Sequence, residues 1–189
     1  MKKAFHTIWE VVEVFLIAVI AVAAIKYFLI QPFIVNGASM EPTFYDGDYL
    51  LVDELTYTFN QPQRGDVIVF HSPQDYSVYF IKRIIGLPGE QITIDKDKVT
   101  IVNSAHPNGF VLQEPYIHTI GAIANDQIPF QTVKLKDNQY FVMGDNRLNS
   151  LDSRYWGPLD KSKIVGIVKM RLWPLSDITF FSHIAYPAP

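Results

Sequence analysis

Apolar positions along this chain follow two regimes. Over residues 11–30 they run almost without interruption, broken only by Glu13 and Lys26, each near one end. Residues 14–25 carry no charge, polar side chain, glycine or proline. A helix made from such a run has no polar face, which suits lipid better than a water-bounded core. Carried on to Ile30 it spans roughly 25 Å at ~1.5 Å per residue. Glu13 and Lys26 would then reach toward headgroups, with Trp9 and Tyr27 at the interfaces. Pro32 is expected to end the helix. Ala21-Val22-Ala23 has the small-residue pattern of a cleaved export signal. The apolar run continues past it, however, with no helix breaker before the alanines, so an uncleaved anchor is expected.

Beyond Pro32 the pattern becomes one of short β-rich runs at 49–52, 66–71, 78–85, 91–94, 99–102, 139–143 and 164–172. Turn formers separate them, among them Tyr45-Asp46-Gly47-Asp48 and Gly86-Leu87-Pro88-Gly89, as expected between strands. No later segment sustains a helical period. The prediction is a mainly β protein, an all-β domain on one transmembrane helix. Residues 1–32 would form a short tail and anchor, and 33–189 the β domain. Residues 95–136 are less regular and richer in Asn, Pro and Gly, suggesting a small inserted subdomain or a pair of long loops.

Charge sets the orientation of the anchor. Lys2 and Lys3 precede the apolar segment, and after Lys26 no Lys or Arg appears until Arg64. The positive-inside rule puts the N-terminus in the cytoplasm and the β domain outside, a single-pass protein of the cell membrane. The net charge of −3 offers no basic face for nucleic acid. The absence of cysteine excludes disulfides, thiolate zinc sites and a cysteine nucleophile. His6, His71, His106, His118 and His183 show no pairing at metal-ligand spacing.

Three passages carry more than scaffold. In Gly37-Ala38-Ser39-Met40-Glu41-Pro42-Thr43, small residues would let another backbone approach Ser39. Taken alone, a loop serine more often caps or meets solvent. Around Lys82, strand alternation puts the lysine on one face with Phe80 and Ile84, where apolar neighbours disfavour the ammonium. An ordinary lysine is neutral in only about one molecule in two thousand at pH 7. Burial is how a protein turns one into a base, although an edge-strand lysine that discourages aggregation fits this segment equally. The third passage, residues 144–157, crowds polar, charged and turn-forming residues directly after an apolar strand. A tight loop held by its own Asp–Arg pairs would account for that composition.

Together, and in this order, the three passages resemble the type I signal peptidases. The serine motif lies just past the apolar segment. Lys82, Arg83, Gly86, Pro88 and Gly89 match K-R-x-x-G-x-P-G. Gly144, Asp145, Asn146, Arg147, Ser150, Asp152, Ser153 and Arg154 match G-D-N-R-x-x-S-x-D-S-R. Length and spacing are similar to the compact, single-anchor branch of Gram-positive bacteria. The resemblance implies a membrane-bound serine endopeptidase that removes signal peptides from exported preproteins, without a cofactor and with no nucleic-acid partner. Its partners would be those preproteins and the lipid bilayer, and it would prefer small side chains at the first and third positions before the cut. By the same resemblance Ser39 is the nucleophile, Lys82 the general base, and Ser150 the hydroxyl that orients the Lys82 amine. Met40 would shape the surroundings of Ser39, and Asp145, Arg147, Asp152 and Arg154 would support the loop. Gly37 stands where the longer branch of the family has a serine that donates to the oxyanion.

Other readings compete less well. A Ser-His-Asp site using His71 is conceivable, but lysine occupies the base motif. A self-cleaving Ser-Lys regulator would need a DNA-binding domain in place of the anchor. A catalytically dead membrane-tethered relative would be attractive only if Ser39 or Lys82 were replaced.

Overall fold

The computed structural model describes residues 6, 9–20, 30–96, 98–117, 131–181 and 186. Helix α1 (residues 9–20) leaves its apolar side chains exposed on all sides, Val14, Phe15 and Leu16 among them. Among the described residues no helix is long and apolar enough to cross a membrane. The remainder of the expected anchor, including Ala21, Ala23, Lys26 and Tyr27, lies outside the described residues, as do Lys2, Lys3, His118 and His183.

One expectation is corrected here. The helix does not extend to Ile30, and Pro32 does not terminate it, because Ile30–Ile34 forms strand β1. β1 pairs antiparallel with β2 (Tyr49–Asp53), with Pro32 opposite Leu51. Proline is tolerated in an outermost strand, where a missing N–H can face away from the ladder. Phe33 and Ile34 prolong the apolar run, so hydropathy alone does not mark the change from helix to strand.

The remaining strands are β3 (Val67–His71), β4 (Tyr79–Gly86), β5 (Gln91–Asp95), β6 (Lys98–Val102), β7 (Phe110–Val111), β8 (Gln131–Lys134), β9 (Gln139–Met143), β10 (Leu159–Asp160), β11 (Ile164–Trp173) and β12 (Thr179–Phe180). They form two antiparallel sheets. The larger runs β1-β2-β11-β3-β4-β9-β10, with β12 attached to β11, and the smaller runs β7-β6-β5-β8. Two four-residue helices, α2 (Thr56–Phe59) and α3 (Ser153–Trp156), fill connections.

The strands at the centre of the larger sheet are covered on both faces, which explains their nearly continuous apolar sequence. Val67 and Val69 of β3 join one cluster with Met40, Phe44 and Leu50, whereas Ile68 and Phe70 join another with Ile84, Tyr140 and Val142. A third cluster, including Ile85, Ile92, Ile101, Phe141 and Met143, unites residues of the two sheets. β4 touches all three clusters, through Ile81, Ile84 and Ile85. The larger sheet also curls, so that Phe33 of β1 meets Tyr79 of β4 edge-on at 5.3 Å.

Candidate active site

Ser39 sits in the loop between β1 and β2. Backbone bonds from Val35 N to Asp48 O and from Gly47 N to Val35 O, both 2.9 Å, pin the two ends of that loop together. Gly37 adopts φ +89°, a left-handed conformation suited to glycine, and its N–H donates to Asp46 Oδ1 at 2.7 Å. Met40, fully buried, anchors the loop in the cluster beneath it, and Ser39 beside it stays half-exposed. The Ser39 N–H donates to no group among the described residues.

Lys82 lies opposite Ile68 on β4 and is almost wholly buried. Its Nζ is 2.7 Å from Ser39 Oγ and donates to Ile81 O at 2.7 Å, with the Phe80 ring centroid 5.5 Å away. Burial drives its pKa down from 10.5 to about 8. The carboxylates of Asp152 and Asp145 pull the other way without prevailing, and Arg154 adds to the lowering.

A buried lysine beside two buried acids would ordinarily form an ion pair and stay charged. Here the acids are engaged elsewhere. Asp152 accepts from Gly144 N (2.9 Å), Ser150 Oγ (2.7 Å), Arg154 N (3.2 Å), Arg154 Nε (2.8 Å) and Arg154 Nη2 (2.8 Å). A carboxylate offers about four lone-pair sites, so these donors saturate it. Asp145 is held by Arg83 Nε (2.8 Å) and Nη2 (2.6 Å) and by Thr43 Oγ1 (2.6 Å). The Lys82 amine is left with the Ser39 hydroxyl and one carbonyl.

The loop after β9 closes over Ser39. Asn146 N donates to Ser39 O at 3.1 Å, and Asn146 Nδ2 to Ala38 O at 3.0 Å. Gly144 packs so tightly that a side chain there would strike Ser150 Oγ and Ser39 O. Arg147 Nε donates to Gly144 O at 3.0 Å, and its terminal nitrogens engage the Glu114 carboxylate. Ser153 Oγ accepts from Val142 N at 3.0 Å, which ties α3 to β9. Ser150 Oγ gives its bond to Asp152; the hydrogen bonds of the Lys82 amine go to Ser39 and Ile81.

A cavity of about 260 Å³ opens beside Ser39 and Lys82, with Phe33, Ile34, Leu50 and Tyr79 in its wall. An amine of lowered pKa within hydrogen-bond reach of a hydroxyl, at the floor of an apolar cleft, can take the hydroxyl proton and leave a nucleophilic oxygen. His71 is engaged elsewhere. Its Nδ1 lies 2.7 Å from Tyr76 O, and its ring stacks on Tyr76 at 3.8 Å.

The sequence reading missed Glu114 and Tyr116, for which a glutamate and a tyrosine flanking Pro115 in a stretch with few other charged residues were the available signal. Thr43 closes the serine passage, but nothing in the sequence pointed to its bond with Asp145.

Residues 8–173 match the family described as signal peptidase, peptidase S26. The chain is 35% identical to signal peptidase I of Bacillus amyloliquefaciens over 184 residues, covering 94% of this chain and 92% of that protein. It is 34% identical to signal peptidase I T of Bacillus subtilis (strain 168) over 185 residues, covering 94% and 91%. A crystal structure of a signal peptidase I from Enterococcus faecalis aligns with a TM-score of 0.48 and 31% identity, over 57% of this chain and 97% of that one.

Proposed function

The chain belongs to the signal peptidase family, peptidase S26, a family of serine endopeptidases, and from that premise we propose that Ser39 and Lys82 form its reacting dyad. The 2.7 Å between Lys82 Nζ and Ser39 Oγ carries the reading. Neutral Lys82 accepts the hydroxyl proton as Ser39 Oγ attacks the scissile carbonyl. The unengaged Ser39 N–H is available to the oxyanion that develops. Gly37 has no hydroxyl to add there, so backbone and water complete the stabilisation. The Lys82 ammonium then protonates the leaving amine, and a water activated by Lys82 releases the acyl group. Ser150 holds Asp152 and thereby keeps the amine free for Ser39. No cofactor is required for these steps.

The substrates are exported preproteins, cut where their signal peptides end. The modest cavity beside Ser39 favours small side chains at the first and third positions before the cut. The β domain works at the outer membrane surface, tethered by a single span that includes α1. Two observations support that placement: the exposed apolar side chains of α1, and those of Ile34, Trp173, Leu175 and Phe180 around the ends of β1, β11 and β12. Nucleic acid has no role in this reading.

Cleavage of an exported preprotein by the wild type and by Ser39→Ala, run in parallel, tests the chemistry. Complete loss in the variant, with an unchanged unfolding transition, is the expected result. Equal cleavage by both would end the dyad reading. Protease accessibility of the β domain in sealed vesicles of known orientation tests the topology, and full protection in right-side-out vesicles would contradict it.

A further inference from the structure

We propose that Glu114 and Tyr116, on the connection that leaves β7, are positioning residues for the Ser39–Lys82 pair; this rests on the dyad reading above. Neither residue touches Ser39 or Lys82. Instead each grips one of two arginines, and each arginine holds a segment that carries or packs against the pair.

The first is Arg147, whose guanidinium is buried against the Glu114 carboxylate, the two side chains 4% and 6% exposed. The same guanidinium donates through Nε to Gly144 O. Gly144 is the residue whose α-carbon abuts both Ser150 Oγ and Ser39 O. Displacing Arg147 therefore frees the turn that packs against the candidate nucleophile. The second is Arg83, the chain neighbour of Lys82. The Tyr116 ring lies 4.0 Å from the Arg83 guanidinium carbon, a cation–π distance. Arg83 in turn holds Asp145, which accepts from Thr43 in the Ser39 loop.

The two grips are linked. Tyr116 OH donates to Glu114 Oε1 at 2.6 Å and lies 3.2 Å from Tyr186 OH. Glu114 thus receives donors from Arg147 and Tyr116 at once, and three loops are referred to one carboxylate. Leu112 at the start of the connection packs into the apolar cluster of the smaller sheet, whereas Glu114 and Tyr116 are not part of that cluster. Those two side chains are turned toward the arginines instead. Because misplacement of a reacting group by about 1 Å costs on the order of 100-fold in rate, such a brace acts on turnover more than on substrate affinity.

The test uses the full chain in detergent and a short soluble peptide with alanine at the first and third positions before the cut. For wild type, Glu114→Gln, Glu114→Asp and Tyr116→Phe, kcat and KM are measured together with the folded fraction from the amplitude of thermal unfolding. Per folded molecule, Glu114→Gln is expected to lose at least about tenfold in kcat, with KM within about twofold. Glu114→Asp should recover part of that loss. Tyr116→Phe keeps its ring over Arg83 and loses only the hydroxyl bond, so a fall of about threefold is expected, and this mild variant decides the matter if Glu114→Gln does not fold. Unchanged kcat per folded molecule, with only a lowered melting temperature, would overturn the proposal, as would a loss expressed wholly in KM. A wild type no more active than Ser39→Ala would instead overturn the dyad reading, a result visible before any Glu114 variant is measured.

Discussion

Lys82 and Arg83 are chain neighbours on β4 and similarly buried, at 4% and 2% exposure, yet the two faces of the strand treat them differently. On the Lys82 side the amine meets Ser39, one carbonyl and the Phe80 ring, and the nearby carboxylates of Asp152 and Asp145 are held by other donors. Desolvation prevails and the pKa falls to about 8. On the Arg83 side burial also opposes the charge, but the bidentate Asp145 carboxylate more than offsets it and the pKa rises. Burial alone therefore does not decide the charge of a cation. What decides it is whether a carboxylate with free lone pairs faces it. One face of β4 holds an amine of lowered pKa beside Ser39, and the other holds a cation fixed by its carboxylate.

The most severe way to break this contrast is Lys82→Arg, which puts a guanidinium on both faces. Arginine does not deprotonate in proteins, so cleavage should fall at least about 1,000-fold although charge and size are nearly kept; a general base normally contributes on the order of 100- to 10,000-fold. Measurable turnover at pH 8 in that variant would remove lysine as the base. The next largest effect is on stability. Asp145→Ala strands Arg83 as a buried unpaired charge and should cost about 3–5 kcal/mol in urea unfolding. Lys82→Met, which deletes a cation that has no ionic partner, should cost little or stabilise.

The pH dependence sharpens the same contrast. Because the folded pKa of Lys82 lies below the unfolded 10.5, the unfolded chain holds this proton more tightly between about pH 8 and 10.5. The destabilisation by Lys82 is therefore complete below about pH 8 and fades as pH rises through that window. The stability advantage of Lys82→Met over wild type should shrink across the same range, as chemical denaturation at several pH values would reveal. In the wild type, single-turnover cleavage should rise with pH through a midpoint near 8, as the amine becomes neutral. A midpoint near 10.5 would mean that the amine behaves as an ordinary solvated lysine. The smallest effect is reserved for Ser150→Ala. Removing one of the donors on Asp152 leaves its negative charge less offset near the Lys82 ammonium, so the activity midpoint should move upward and kcat at pH 7 should fall. Ser153→Ala, which strips Val142 N of its acceptor, should cost about 1–3 kcal/mol of stability and leave the midpoint in place.

Much of this architecture was legible in the sequence. Each of the seven β-rich runs matches a strand of the structure, with the runs at 66–71 and 78–85 starting one residue early, because each is flanked by strong turn formers. The two-residue strands β7, β10 and β12 were not legible, since two residues carry no period. β1 was hidden for a different reason: its apolar residues continue the preceding run, and Pro32 read as a helix stop when it is a member of an outer strand. At the site, motif order singled out Ser39 and Lys82, and the fold brings them to 2.7 Å. Local spacing cannot report pairings across long separations. Thr43 with Asp145 and Glu114 with Arg147 are of that kind, and the saturation of Asp152 is likewise visible only when every donor is placed.

Pro32 has a consequence beyond ending or not ending a helix. β1 is the open flank of the larger sheet, with no strand beyond it among the described residues. An open flank presents unpaired backbone donors and acceptors, which is a template for any extended chain that arrives. A peptidase acting on preproteins not yet folded would meet such chains at every turnover, and neighbouring copies crowded in one layer would add more. Proline in the middle of this five-residue strand removes one donor from the template and makes continuous cross-pairing along it unfavourable. Pairing with an arriving chain is therefore interrupted at Pro32, while Phe33 and Ile34 just beyond it belong to the wall of the cleft beside Ser39.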